Sequence, residues 1–200
     1  MKDNFIDSVE NYKIWFPYEV FYIESMFTLA HSAMMEVALF HEIIKQIGLN
    51  KFQNEDMLLD SVQNFITHSA SLARYFWPSD KAKIHQLRGE RLREAFSMDD
   101  NSALKDKKLR NFIEHFDEKL DSYLSKGVSG NIIPSYVGFK SHVTEVDFFF
   151  RAYFLDEASI RVLDLDYKVD PIIQEVQKVH NLLIDFRDNG GRLRILLKRE

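Results

Sequence analysis

The chain contains no cysteine, so disulfides, thiolate metal sites and cysteine nucleophiles are excluded. No apolar run approaches the roughly 18–20 residues that span a bilayer. The richest stretch, Met26 to Phe40, is broken by His31, Ser32 and Glu36. The start, Met1-Lys2-Asp3-Asn4, has no basic residue followed by an apolar segment, so no signal peptide is read. A cytoplasmic protein without membrane association is expected. Basic excess is also missing: the net charge is −5 and the pI about 5.8. Nucleic acid coated by phosphate neutralisation over the whole surface is thereby excluded, leaving only a local basic site. No HExxH, P-loop or GxGxxG string occurs, and no histidine has Glu three residues before it, which removes the di-iron bundle signature. Neither metal nor cofactor is expected.

What remains is helical periodicity over 200 residues, enough for one domain with a real core. Residues 18–47 carry a broad apolar band: Val20, Phe21, Ile23, Met26, Phe27, Ala30, Met34, Val37, Ala38 and Phe40. Pro17 suits its start and Gly48 its end. Residues 55–76 repeat the pattern between an Asn54 cap and Pro78. A shorter helix is expected over 80–97, with Ile84, Leu87, Leu92 and Phe96 inward, and a fourth over 103–124. Lys126 to His142, with Gly127, Gly130, Pro134 and Gly138, reads as a loop. Val146 to Leu155 and Ser159 to Leu165, rich in β-branched and aromatic residues, read as a two-stranded hairpin. A last helix starts at the Asp170-Pro171 cap and runs to about Phe186. The expected fold is mainly α: an antiparallel helical bundle of about four long helices over 1–125, a loop over 126–142, and over 143–200 a C-terminal β-hairpin and a final helix packed on the same domain.

The stretch 103–124 holds the chemistry. Leu109, Phe112, Ile113, Phe116 and Leu120 form one apolar stripe at helical spacing. On a helical wheel Arg110 and His115 then lie on the outer face, about 140° apart at roughly 100° per residue. One helix does not bring their tips together, so a working pair asks for a second helix or a second copy. Asn111 and His115, at i and i+4, are direct neighbours. Lys105, Lys107, Lys108 and Arg110 crowd the first half, and Glu114, Asp117, Glu118 and Asp121 the second. That order opposes the macrodipole of a single helix. A phosphate near the basic half, pairing with another chain, or a plain solvated face each accounts for it.

Arg110-Asn111, three residues and His115 resemble the Arg-x4-6-His motif of the HEPN superfamily, in which a polar residue often follows the Arg. The preceding Arg88-Gly89-Glu90-Arg91-Leu92-Arg93 and the following Phe116-Asp117-Glu118-Lys119-Leu120-Asp121 are similar to a HEPN-like bacterial group. The resemblance covers about 18–125. It implies a helical-bundle homodimer with two motifs facing one cleft, and a metal-independent ribonuclease or RNA-binding protein of toxin or defence type, with an antitoxin-like protein as a further partner. It casts His115 as general acid or base at the ribose hydroxyl or leaving oxygen, since imidazole titrates near neutrality. Arg110 would hold the phosphate, and Asn111 would orient His115 or the phosphate. Lys107, Lys108 and Arg74 are the candidate substrate-binding cations. Some superfamily members are non-catalytic interaction modules, and the acidic run from Glu114 to Asp121 makes that the alternative expectation.

Other residues read more plainly. His31, amid apolar neighbours, is a hydrogen-bonded boundary residue rather than a metal ligand. The small residues between His68 and Trp77 signal close helix packing. Phe148, Phe149, Phe150, Tyr153 and Phe154 read as strand core or interface. Arg187, Arg192, Arg194, Lys198 and Arg199 read as a solvated basic tail, with nucleic-acid contact as the other reading.

Overall fold

An amphipathic helix needs a partner for its apolar stripe, and the first helix of this chain has two. A computed structural model describes residues 14, 16–49, 54–106, 115–127 and 129–193. In it α1 (Phe16–Gly48) buries Ile23, Met26, Ala30, Ala33, Val37, Phe40 and Ile43 along one face. The stripe meets α2 (Glu55–Phe76) and the last helix, α5 (Asp170–Asp188). Both partners run antiparallel to α1. Ser25 pairs with Tyr75 and Phe40 with Phe65 on the α2 side, while Glu24 pairs with Arg187 and His31 with His180 on the α5 side. In each case the later α1 residue meets the earlier residue of its partner.

The broad apolar band read for α1 is thus only partly inward. Val20, Phe21 and Ala38 are exposed. The narrow stripe suffices because α2 and α5 close over it from two sides, and the core continues through Leu58, Val62, Phe65 and Leu72 of α2 and Val176, Val179 and Leu183 of α5. Asn54 caps α2 as its position suggests, its side chain accepting from Met57 N at 3.3 Å. Ser69, Ala70 and Ala73 are buried, in keeping with close packing of small residues. The third helix, α3 (Lys83–Phe96), packs on α2 through Leu87, Leu92 and Phe96, while Ile84 is exposed. The expected C-terminal helix is present but begins at Asp170 after Val169, so Asp170 is its first residue rather than its cap.

The expected hairpin is two strands of a larger mixed sheet. β1 (Asn131–Gly138), β2 (Asp147–Phe154), β3 (Ser159–Val162) and β4 (Leu165–Lys168) lie in that order. The β2–β3 pair is antiparallel, with Arg151 opposite Val162, and so is β3–β4. β1 pairs parallel with β2, from Asn131 opposite Asp147 to Gly138 opposite Phe154. Residues 131–138 are therefore a strand, not the loop suggested by Pro134 and the glycines. Proline is tolerated there because β1 is an edge strand. Gly130, at φ 154°, begins the strand where a Cβ would collide with the Val146 carbonyl. The β1–β2 connection is shorter than the crossover of about a dozen residues usual between parallel strands. Asp147 holds it, accepting from Thr144 N and Oγ1 at 2.8 Å each and from Asn131 Nδ2 at 2.9 Å. Phe149, Tyr153 and Phe154 are buried, matching their reading as strand core.

The sheet is fastened to α2 by Arg151, which donates to Asp60 and, at 3.0 Å, to Asp56, while Ser135 Oγ donates to Asp56 at 2.7 Å. These contacts hold the Asp56 carboxyl below its ordinary value, with the Ser135 hydrogen bond first and Arg151 second. The mainly helical class stands, and the C-terminal helix packs along α1. Among the described residues no helix is long and apolar enough to cross a membrane.

The hydrogen bond expected of His31 is made to another histidine: its Nδ1 lies 3.3 Å from His180 Nε2 across the α1–α5 seam, beside the Glu24–Arg187 pair. Burial, and secondarily the neighbouring His31, push His180 below its ordinary value. The unfolded chain therefore takes up this proton first as pH falls. The stabilisation tied to neutral His180 is complete above about 6.5 and is lost as pH drops below it. The melting temperature of the native chain should fall between pH about 7.5 and about 5.5 more than that of His180→Gln. Equal falls would contradict the pairing.

Candidate functional site

Acidic residues favour the start of a helix, where unpaired N–H groups carry partial positive charge. The second half of the charged stretch follows that rule. The helix α4 (Phe116–Ser125) begins with Asp117 and Glu118 in its first turn. His115 precedes it in a non-helical conformation, φ −134° and ψ 38°, and its carbonyl accepts from Lys119 N at 3.1 Å. Upstream, Ser102 accepts from Leu104 N at 3.3 Å and donates to Glu175 of α5 at 2.7 Å, forming a short 3-10 turn over Ala103–Lys105. Buried Leu104 anchors the turn, and the chain leaves it extended at Asp106, φ −59° and ψ 114°.

The single helix expected over 103–124 is thus corrected, because neither Asp106 nor His115 is helical. Lys107, Lys108, Arg110 and Asn111 lie outside the described residues, as do Leu109, Phe112 and Ile113. The wheel angle between Arg110 and His115 does not apply, since His115 is not helical. The charge order that opposed one long macrodipole instead marks the start of a second element.

His115 is about half exposed, with Nδ1 3.5 Å from Glu118 Oε2. A carboxylate beside Nδ1 orients an imidazole and leaves Nε2 for proton transfer. α4 is positioned by the Phe116 ring, edge-on to Phe150 at 5.8 Å, and by Lys126, 2.7 Å from Asp164 in the β3–β4 turn. Arg74 is exposed in the last turn of α2, where its carbonyl accepts from Arg88 Nη2 at 3.1 Å.

A cleft of about 450 Å3 opens where α2 ends, α3 passes and the 3-10 turn returns. Trp77, Lys81, Arg93, Asp100, Lys105 and Asp106 line it. Arg74 is not part of its lining. Gly89 lets α3 come this close, since a Cβ there would sit 2.7 Å from the Phe76 carbonyl and 2.8 Å from Pro78 Cδ. Arg93 donates to that same carbonyl, fastening α3 to the end of α2. Lys105 lies 2.7 Å from Asp100. Its hydrogen bond and charge, with smaller help from Arg93 and the Trp77 indole, hold the Asp100 carboxyl below its usual range. The arrangement is a fixed polar cleft with an aromatic wall. Sequence reading missed Trp77, Lys81 and Arg93 as a group, although Arg93 and Gly89 belong to the string that carried the family resemblance. The available signal was a tryptophan ending a helix beside Pro78, with cations on both sides.

Of the expected basic tail, Arg187 and Arg192 are exposed and also pair with α1. Arg187 lies 2.8 Å from Glu24 and over the Phe27 ring, and Arg192 3.2 Å from Glu19. Arg194, Lys198 and Arg199 lie outside the described residues. Among the described residues no group of three or more His, Asp or Glu is placed to hold a metal ion. Protein-family models, curated proteins and solved structures yield no match to this chain.

Gly89 gives a discriminating test. In an open helix Gly→Ala stabilises by about 1 kcal/mol. Here the added methyl meets backbone, so Gly89→Ala should instead destabilise by about 1–3 kcal/mol in urea titration. A stabilised variant would contradict the close approach of α3.

Proposed function

We propose that this chain is an HEPN-like, RNA-directed protein whose His115 performs metal-independent proton transfer on a phosphodiester. The observation that carries the reading is His115 itself. It stands outside the helix at the start of α4, open to solvent, with the Glu118 carboxylate 3.5 Å from Nδ1. A surface histidine held this way is suited to take a proton from a ribose 2′-hydroxyl or give one to a leaving oxygen. In this proposal Arg110 and Asn111 stand on the phosphate, with Lys107 and Lys108 as flanking cations. Two copies of the chain pair so that their motifs share a cleft, and an antitoxin-like protein restrains the pair. Arg74 is given a supporting role only, since it is not part of the Trp77 cleft.

A second reading, a non-catalytic interaction module, is favoured by a separate observation. Tyr18, Phe21, Met35 and Leu39 leave apolar surface exposed on α1, Phe21 to 73%. Exposed apolar surface of this kind marks protein contacts.

Purified protein should cleave RNA in the presence of EDTA, and His115→Ala and Arg110→Ala should each lower the rate by about 100-fold or more with circular dichroism unchanged. Cleavage by His115→Ala at the wild-type rate would overturn the catalytic reading.

A further inference from the structure

We propose that the cleft between α2, α3 and the 3-10 turn is a nucleotide site, with the base against Trp77 and the phosphate on Lys81, Arg93 and Lys105. Three kinds of group converge there, and a nucleotide is the ligand that uses all three. The indole of Trp77 supplies a flat wall, and base–aromatic stacking is tolerant of base identity. The cations of Lys81, Arg93 and Lys105 face one opening and meet an anion. The carboxylates of Asp100 and Asp106 stand among them as acceptors for ribose hydroxyls or an exocyclic amine.

The site is pre-formed. Gly89 sets the approach of α3, Arg93 is held on the Phe76 carbonyl, and Lys105 is held on Asp100. The volume, about 450 Å3, lies in the range of roughly 300–1,000 Å3 usual for small-ligand sites. The cleft also ends at Lys105 and Asp106, where the chain enters the stretch carrying Arg110. The choice of nucleotide over other phosphorylated rings rests on the RNA reading above; the cleft itself does not depend on His115.

The chain has two tryptophans, so a Trp15→Phe background leaves Trp77 as the sole indole reporter. Titration with AMP should quench its fluorescence, adenosine should bind at least about tenfold more weakly, and inorganic phosphate should compete. Calorimetry on the unmodified chain should give the same order of affinities, whatever Trp15→Phe does to folding. Lys81→Glu and Lys105→Gln should each weaken AMP by about tenfold, while Lys178→Glu, on α5 and outside the cleft, should not. Comparing AMP with a short oligoadenylate separates the two sources of the ligand: tighter AMP identifies a free-nucleotide pocket, and a tighter oligomer identifies a subsite for an RNA strand. Both results support the site. Absence of AMP binding up to millimolar concentration, adenosine binding as tightly as AMP, or wild-type affinity in both lysine variants would overturn it. The two proposals fail separately. AMP binding without RNA cleavage removes the catalytic reading and leaves this one; RNA cleavage with no nucleotide response at Trp77 does the reverse.

Discussion

The buried stripe of α1, from Ile23 to Ile43, meets α2 and α5 at once, and the remaining elements take their places from that seam. Ala30 and Ala33 are fully buried on it, which keeps side-chain bulk between the helices small. Because α5 comes from the far end of the chain, closing the seam forces everything between α3 and α5 to be carried outside it and returned. The sheet returns on Arg151, whose guanidinium ties β2 to the first half of α2. The 3-10 turn returns on Ser102, hydrogen-bonded to Glu175 of α5. Protonating His180 acts on this same seam rather than on a peripheral contact.

Two anchors flank the motif in sequence. Buried Leu104 fixes the chain on one side, and α4, packed through Phe116 and tied through Lys126, fixes it on the other. The carboxylates that would repel an RNA backbone therefore have a structural reason to exist. Asp117 and Glu118 occupy the turn where a helix start favours them, and Glu118 also faces His115. Acidity after His115 is consequently compatible with a cationic cleft before Asp106.

Much of the helical frame was legible from spacing and caps. Asn54 and Pro78 bracket α2, and the Asp170-Pro171 step marks the start of α5, because caps and proline act locally. Two features were not legible for the opposite reason. β1 carries Pro134 and ends in Gly138, a loop composition that only edge placement and parallel pairing with β2 make acceptable. The non-helical break at His115 hides behind an apolar spacing that continues across it. The charge reversal was the signal of that break, and it made sense only with a helix start at Phe116. The site was half visible: His115 stood out by motif, whereas Trp77, Lys81, Arg93 and Lys105 lie on three elements and converge only through the fold.

The proposed RNA reading requires that RNA reach both the Trp77 cleft and His115. Photocrosslinking of a short 4-thiouridine RNA to the native chain, followed by mass spectrometry of the linked peptides, tests it directly. The account predicts crosslinks concentrated in peptides spanning 77–81 and 105–119. Crosslinks confined to other surfaces, such as the exposed face of α1, or no crosslinking at all would contradict it.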